Sequence, residues 1–383
     1  MKNKIALYIL IVIIPLYFLQ GWIFESGSLA SQCIAAIWLL IDVIYLIKCL
    51  KYGLIDRIGR TFISFWLLNT VTWLFAPLLI NNNVNVISWG ATYSVYKNIS
   101  VVFLTYFPFY YLKLNCLIEK RQLRWFTFIS LICLIVAFFV SSGENAFVIG
   151  ESDITNNGAY YLVVTIPLLG LFFDQIIKYI FLGVILILVL SGAKRGAILC
   201  AAIEYFFFIY FYIKNIRKSR SLFKLTWASL AVLVIFYMAI NLYERNDYLQ
   251  MRYEQTISGD SSSRDEIYSL AFQKFNEQDF INQLLGSGMN STLSIIKDYA
   301  HQDWLELLIN NGILGIIFYL SVFVSILRYY QQSRRSMIYA ERFMFLSAVF
   351  AWFIRSMFSM TYYSIETCFL VISLAIVSAN HRR

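Results

Sequence analysis

Twelve apolar runs, each of roughly 17 to 25 residues, constrain this chain more than any other feature of it. They fall near 5–24, 29–47, 61–80, 88–112, 124–141, 158–173, 176–193, 196–213, 225–243, 304–327, 343–360 and 362–379. About 20 apolar residues of helix cross a bilayer core, and only helices or closed barrels satisfy their backbone there. The pattern predicts an all-α polytopic membrane protein with about 12 transmembrane helices. Composition agrees, with 60% hydrophobic residues, 14% charged residues and a mean hydropathy of +0.67. A soluble domain carries about 25% charged residues. The first run has no small-residue cleavage pattern, so it reads as a span and not as a signal peptide.

The basic residues set the expected orientation. With both termini cytoplasmic, 22 of the 31 Lys and Arg residues fall on the inner side. This accounts for the formal charge of +9 without nucleic acid. Short connections pair 176–193 with 196–213, and 343–360 with 362–379, as helical hairpins. Three regions follow: helices 1–9 over 1–243, an external periplasmic loop over 244–303, and helices 10–12 over 304–383.

The six cysteines lie in or beside apolar runs, with no metal-type spacing and none in the external loop. All four prolines (Pro15, Pro77, Pro108 and Pro167) fall within expected spans, where a kink is tolerated. Asp42 and Glu204 also lie within spans and read as structural partners. Glu151-Ser152-Asp153 is an acid-x-acid pattern too short to argue for a metal. Neither a metal nor a cofactor is expected.

The polar island 244–303 contains the chemistry. Ser261-Ser262-Ser263-Arg264-Asp265-Glu266 reads as a helix start, with a serine cap and acids in the first turn. Ile267, Leu270, Ala271 and Phe275 recur at helical spacing, predicting an amphipathic helix over 264–280 that ends at Leu284-Leu285-Gly286-Ser287-Gly288. The island closes on His301, the one histidine outside the C-terminal tail. Histidine is the natural proton carrier near neutral pH. An interfacial histidine without chemistry is the plainer alternative. Asp303 or Glu306 is a candidate to orient its ring, and a solvated or interfacial role competes for both acids.

Nine basic residues stand outside the inner set. Lys194 and Arg195 occupy a hairpin tip, Ser191-Gly192-Ala193-Lys194-Arg195-Gly196. Lys97 lies about nine residues into the fourth span, roughly 13 Å deep, and Arg355 about five residues from the outer end of the eleventh, roughly 7 Å. Intramembrane cations face a partner or a wet cavity, or snorkel to the headgroups. An anionic ligand at outer-leaflet depth explains them together, with Arg264 closing over it, because the planar guanidinium fork matches phosphate.

Taken in order, the hairpin motif, Ser263-Arg264-Asp265-Glu266-Ile267-Tyr268, Leu285-Gly286-Ser287-Gly288, His301-Gln302-Asp303-Trp304-Leu305-Glu306-Leu307-Leu308 and Asn311-Gly312-Ile313-Leu314-Gly315 resemble the O-antigen polymerase and O-antigen ligase superfamily. The resemblance is specific over about 190 to 320; elsewhere only the span pattern agrees. It implies a glycosyltransferase C-type fold in a bacterial cytoplasmic (inner) membrane, acting in lipopolysaccharide or other surface polysaccharide biosynthesis. Undecaprenyl-diphosphate-linked oligosaccharides would serve as donor and acceptor, with membrane lipids and a chain-length regulator as further partners. Arg195 and Arg264 would then bind the donor diphosphate, with Lys194, Lys97 and Arg355 assisting, and His301 would be the catalytic base. Gln302 departs from the Asn common in the family.

A polymerase joining lipid-linked repeat units is the favoured expectation, because the island carries ten acids against five bases. A ligase moving glycan onto the strongly anionic lipid A core would gain from a basic face. A transporter or flippase would show repeat symmetry around a midplane site.

Overall fold

The computed structural model describes residues 2–79, 89–149, 156–219 and 264–381, with isolated positions between 226 and 254. Most of the expected ninth span, most of the island up to 263, and Glu151 and Asp153 lie outside the described residues. Those described are helical, with nothing sheet-like beyond one isolated bridge between Gln20 and Phe24.

Fifteen α-helices are described: α1 (Lys2–Tyr17), α2 (Leu29–Lys51), α3 (Arg57–Leu79), α4 (Trp89–Leu104), α5 (Tyr106–Leu114), α6 (Lys120–Ile149), α7 (Gly158–Val163), α8 (Ile177–Ser191), α9 (Arg195–Ser219), α10 (Arg264–Asn276), α11 (Phe280–Leu285), α12 (Ser291–Ile296), α13 (Asp303–Ser333), α14 (Tyr339–Phe358) and α15 (Cys368–Asn380). Short 3-10 turns at Ile166–Phe172 and Ile365–Thr367 precede α8 and α15.

Among the described residues, α2, Lys120–Ser141 of α6, Arg195–Asn215 of α9, and α13 are long and apolar enough to cross a membrane. Their outer faces agree with that environment. Leu40, Ile44 and Ile47 on α2 are exposed at i, i+4, i+7, as are Leu67, Val71 and Leu74 on α3. Ile313, Ile317, Leu320, Val324 and Leu327 continue the pattern along α13. Apolar stripes of this length suit acyl chains and not water. The molecule is a multi-pass membrane protein.

Two expected spans are broken, and proline explains both. The run 88–112 divides into α4 and α5 at Thr105, because Pro108 has no N–H to donate to the Leu104 carbonyl. The run 158–173 becomes α7 and a 3-10 turn, since Pro167 leaves the Val163 carbonyl without its usual donor. The first helix ends at Tyr17, two residues past Pro15, well short of residue 24. By contrast, α13 and α9 run past their expected ends.

One large core joins the helices. α13 packs on α3, α14 on α9 and α15 on α5. The two intramembrane acids serve as interhelical ties. Thr105 donates to Asp42 at 2.9 Å, binding α2 to the α4–α5 junction, and Ser347 donates to Glu204 at 2.9 Å, binding α14 to α9. A smaller cluster of Ala271, Ile296, Ala300, Leu305 and Ile309 seats α10 on α12 and α13. The buried face of α10 is Ile267, Tyr268 and Ala271, whereas Leu270, expected on that face, is exposed. α10 also ends at Asn276, four residues early, and Asp279 caps a separate helix, α11, by accepting from the Asn282 N–H at 2.7 Å.

Candidate active site

A cavity of about 590 Å³ opens where the expected site residues converge. Lys97, Lys194, Arg264, His301 and Arg355 all line it, from α4, the α8–α9 turn, α10, the segment before α13, and the end of α14. Tyr160, Tyr363, Gln20, Asn98 and Glu366 complete much of the wall. Arg195 begins α9 beside Lys194 but is not among the lining residues.

The α8–α9 turn spans only residues 192–194, with Ala193 at φ 46. Gly192 and Gly196, in and just after this turn, are needed for closeness more than for backbone freedom. A Cβ on Gly196 would meet the Tyr160 hydroxyl at 2.1 Å and Phe358 at 2.9 Å, so α9 seats tightly against two cavity-wall residues.

His301 sits in left-handed backbone, φ 54, two residues before α13. That geometry is uncommon for a side chain bearing Cβ and is held only where the surroundings fix it. Two features do so here. Glu306 accepts the Ala300 N–H at 2.7 Å, and Ala300 is wholly buried in the α10–α12–α13 cluster. The imidazole turns toward Asp298, with Nε2 3.8 Å from a carboxylate oxygen, and 45% of the side chain remains exposed.

Burial holds the His301 imidazole below its ordinary value. Asp298 opposes that shift, and Arg264 and Lys194 reinforce it. The shift favours the neutral ring, the form that accepts a proton. Arg264 stands one turn before Tyr268 on α10, and its charge opposes the rise that burial imposes on the Tyr268 hydroxyl.

Neither acid expected to orient the ring contacts it. Asp303, fully buried, accepts backbone N–H groups from Thr361 and Tyr362 and the Tyr319 hydroxyl. It pins the loop between α14 and α15, whose Ser359, Met360, Tyr363 and Ser364 line the cavity. Glu306 acts one residue away from the histidine, through backbone. The left-handed His301 instead faces Asp298, which precedes it.

Glu366 was hidden inside the expected twelfth span. It forms an ion pair with Arg355, which is 2% exposed and has its guanidinium carbon 4.9 Å from the Tyr160 ring centre. An acid inside an apolar run is itself a signal, since such groups are costly without a partner.

Leu285-Gly286-Ser287-Gly288 and Asn310-Asn311-Gly312 form a junction that positions this region. α13 breaks at Gly312, and the freed Ile309 and Asn310 carbonyls accept from Ser287 and Gly288 N–H at 2.8 and 3.1 Å. The Asn310 side chain accepts from Ser291 and Thr292, at the start of α12, at 3.0 Å. The Asn311 amide donates to Asn69 and Thr72 on α3 at 3.3 and 3.0 Å. Residues 285–292 are thus fastened to α13, and α13 in turn to α3.

Fold and cavity together define a class: a multi-pass helical membrane protein with a cavity lined by several cations and by His301. Residues 179–320, from α8 through the Gly312 break, match the O-antigen ligase family. Over that stretch the chain is similar to the O-antigen ligase and polymerase superfamily, whose members are glycosyltransferase-like enzymes. The matched stretch contains Lys194, Arg195, Arg264, His301, Asp303 and Glu306, and excludes Lys97 and Arg355. No curated protein matches the chain.

Proposed function

We propose that the protein is a surface-polysaccharide polymerase of the O-antigen type. It would transfer glycan from undecaprenyl diphosphate to a sugar hydroxyl of a second lipid-linked repeat unit. The observation that carries this reading is the shared cavity, which four cations from separate elements line together with His301. Twelve spans, cytoplasmic termini and a cavity on the periplasmic face of the inner membrane belong to the same proposal, supported by the inner bias of Lys and Arg.

The chemistry is a single displacement. The acceptor oxygen attacks the anomeric carbon while the bond to the lipid diphosphate breaks, inverting that centre. The hydroxyl proton passes to the neutral His301 imidazole, help worth about 10² to 10⁴ in rate. Negative charge builds on the departing diphosphate, where Arg264, Lys194 and Lys97 provide fixed positive charge in a partly dehydrated site, with Arg355 at the cavity wall paired to Glu366. Arg195, adjacent to Lys194, belongs to the same cationic group in this reading.

The ligase reading is favoured by the description of the matching family. One assay separates them. Purified protein is incubated with a synthetic lipid-diphosphate repeat unit, with and without lipid A core. A ladder of products without lipid A core supports polymerase, and transfer only to the core overturns it in favour of ligase. Movement of intact substrate between leaflets with no new bond would mean transport. Replacing Arg195, Arg264 or His301 with Ala should abolish product while the protein stays folded; full-length product from any one variant removes that residue from the site.

A further inference from the structure

A second concavity, of about 510 Å³, lies between the start of α6, the 3-10 turn at 166–172 and the start of α8. It shares no lining residue with the cationic cavity. Along α6 it runs from Arg121 through Trp125 to Phe128, roughly 10 Å at 1.5 Å per residue. Phe172 and Ile177 form the facing wall. Outside it, exposed Ile132 and Phe139 continue the line of Trp125 along α6, and exposed Ile176 and Ile180 do so along α8. The groove therefore opens onto a surface suited to acyl chains.

Its polar end is built from basic residues with unequal commitments. Arg124 is engaged: Nε donates to the Leu171 carbonyl at 2.9 Å, Nη2 pairs with Asp174, and the guanidinium carbon lies 5.8 Å from the Phe172 ring centre. Lys120 shares the same carboxylate at 3.3 Å. Arg121 lines the groove, is exposed, and among the described residues no acid pairs with it. Glu119 is the nearest acid in sequence and is itself exposed. Trp125, 54% exposed and one turn from Arg121, has the amphipathic character of a residue at headgroup level.

We propose that this groove binds an anionic phospholipid. The headgroup phosphate meets Arg121, and one acyl chain lies against Trp125, Phe128 and Ile177. A cation at the mouth of an apolar channel, one turn from an interfacial tryptophan, complements a charged head on a hydrocarbon tail. Neither feature alone would select a lipid. The site stands apart from glycan transfer and does not depend on which transfer reaction the protein performs.

The test uses the delipidated full chain in detergent, titrated with phosphatidylglycerol or phosphatidylcholine of matched acyl chains and read by native mass spectrometry. The wild type should prefer phosphatidylglycerol by about tenfold. Arg121→Glu should bring that lipid down to the phosphatidylcholine level, a loss of about tenfold for one reversed charge. Trp125→Ala should weaken both lipids alike, and Lys51→Glu, outside the groove, should change neither. If the charge reversal fails to stay monodisperse, Arg121→Gln carries the test, with an expected loss of about fivefold. Equal binding of the two lipids by the wild type, an undiminished preference in both Arg121 variants, or displacement of the lipid by millimolar inorganic phosphate would overturn the proposal.

Discussion

Gly286 and Gly312 meet backbone to backbone. A Cβ on Gly312 would stand 2.6 Å from the Gly286 nitrogen and 2.5 Å from the Leu284 carbonyl oxygen, and a Cβ on Gly286 would stand 2.3 Å from the Asn310 carbonyl. Both have positive φ, +84 and +64. Close approach lets the Ser287 and Gly288 N–H groups take the carbonyls released where α13 breaks. His301 depends on this junction at a distance, because α12, fastened by Asn310, supports the buried Ala300 beside it.

Alanine at either glycine should therefore destabilise the protein by about 2 to 4 kcal/mol, combining the cost of left-handed backbone with overpacking. Thermal unfolding in detergent checks this. A melting temperature equal to wild type for both variants would show that the junction contributes nothing.

The acid limb of the pH–rate profile should lie below 6.5, because burial lowers the His301 pKa and a base must be neutral to work. Rate is then present above that lowered value and lost as pH falls through it. Asp298 raises the pKa, so Asp298→Asn should shift the limb further into acid. Lys194 lowers it, so Lys194→Gln should shift the limb back toward 6.5, alongside any overall loss of rate. Limbs that stay in place in both variants would count against His301 as the group observed in kcat/KM.

Asp303→Ala leaves two backbone N–H groups and the Tyr319 hydroxyl without their buried acceptor. Each such loss costs about 1 to 3 kcal/mol. Tyr319→Phe removes only one bond and its Trp352 contact. The alanine variant should unfold at the lower temperature of the two; the reverse order would refute the loop-pinning role.

Arg355→Met or Glu366→Met alone strands a buried charge and should cost about 3 to 5 kcal/mol. The double variant strands neither and should recover much of that stability. A double variant as unstable as the sum of the singles would show that the two groups act independently.

Much of the fold was legible because membrane burial acts on composition. Any helix that crosses lipid must be apolar over a fixed length, so α2, α6, α9 and α13 appear as runs. Proline positions carry further information, since Pro108 and Pro167 mark where two runs stop being continuous helices. The candidate cations were visible for an electrostatic reason: Lys97, Lys194 and Arg355 stand where neither the apolar runs nor the inner positive bias accounts for them. Asp298 and Glu366 were not. One resembles any loop acid, and the other is concealed by its apolar neighbours.

The amino-acid order by itself determined the helical membrane body, the hairpin at 192–194 and a short set of chemically suited side chains, because hydrophobic length and charge are properties of local sequence. Only the tertiary structure decided which of those side chains share a cavity, that His301 faces Asp298, and that Asp303 and Glu306 hold backbone. Those outcomes turn on a left-handed residue and a helix break, and the direction of a side chain after such reversals is set by packing between segments distant in the chain.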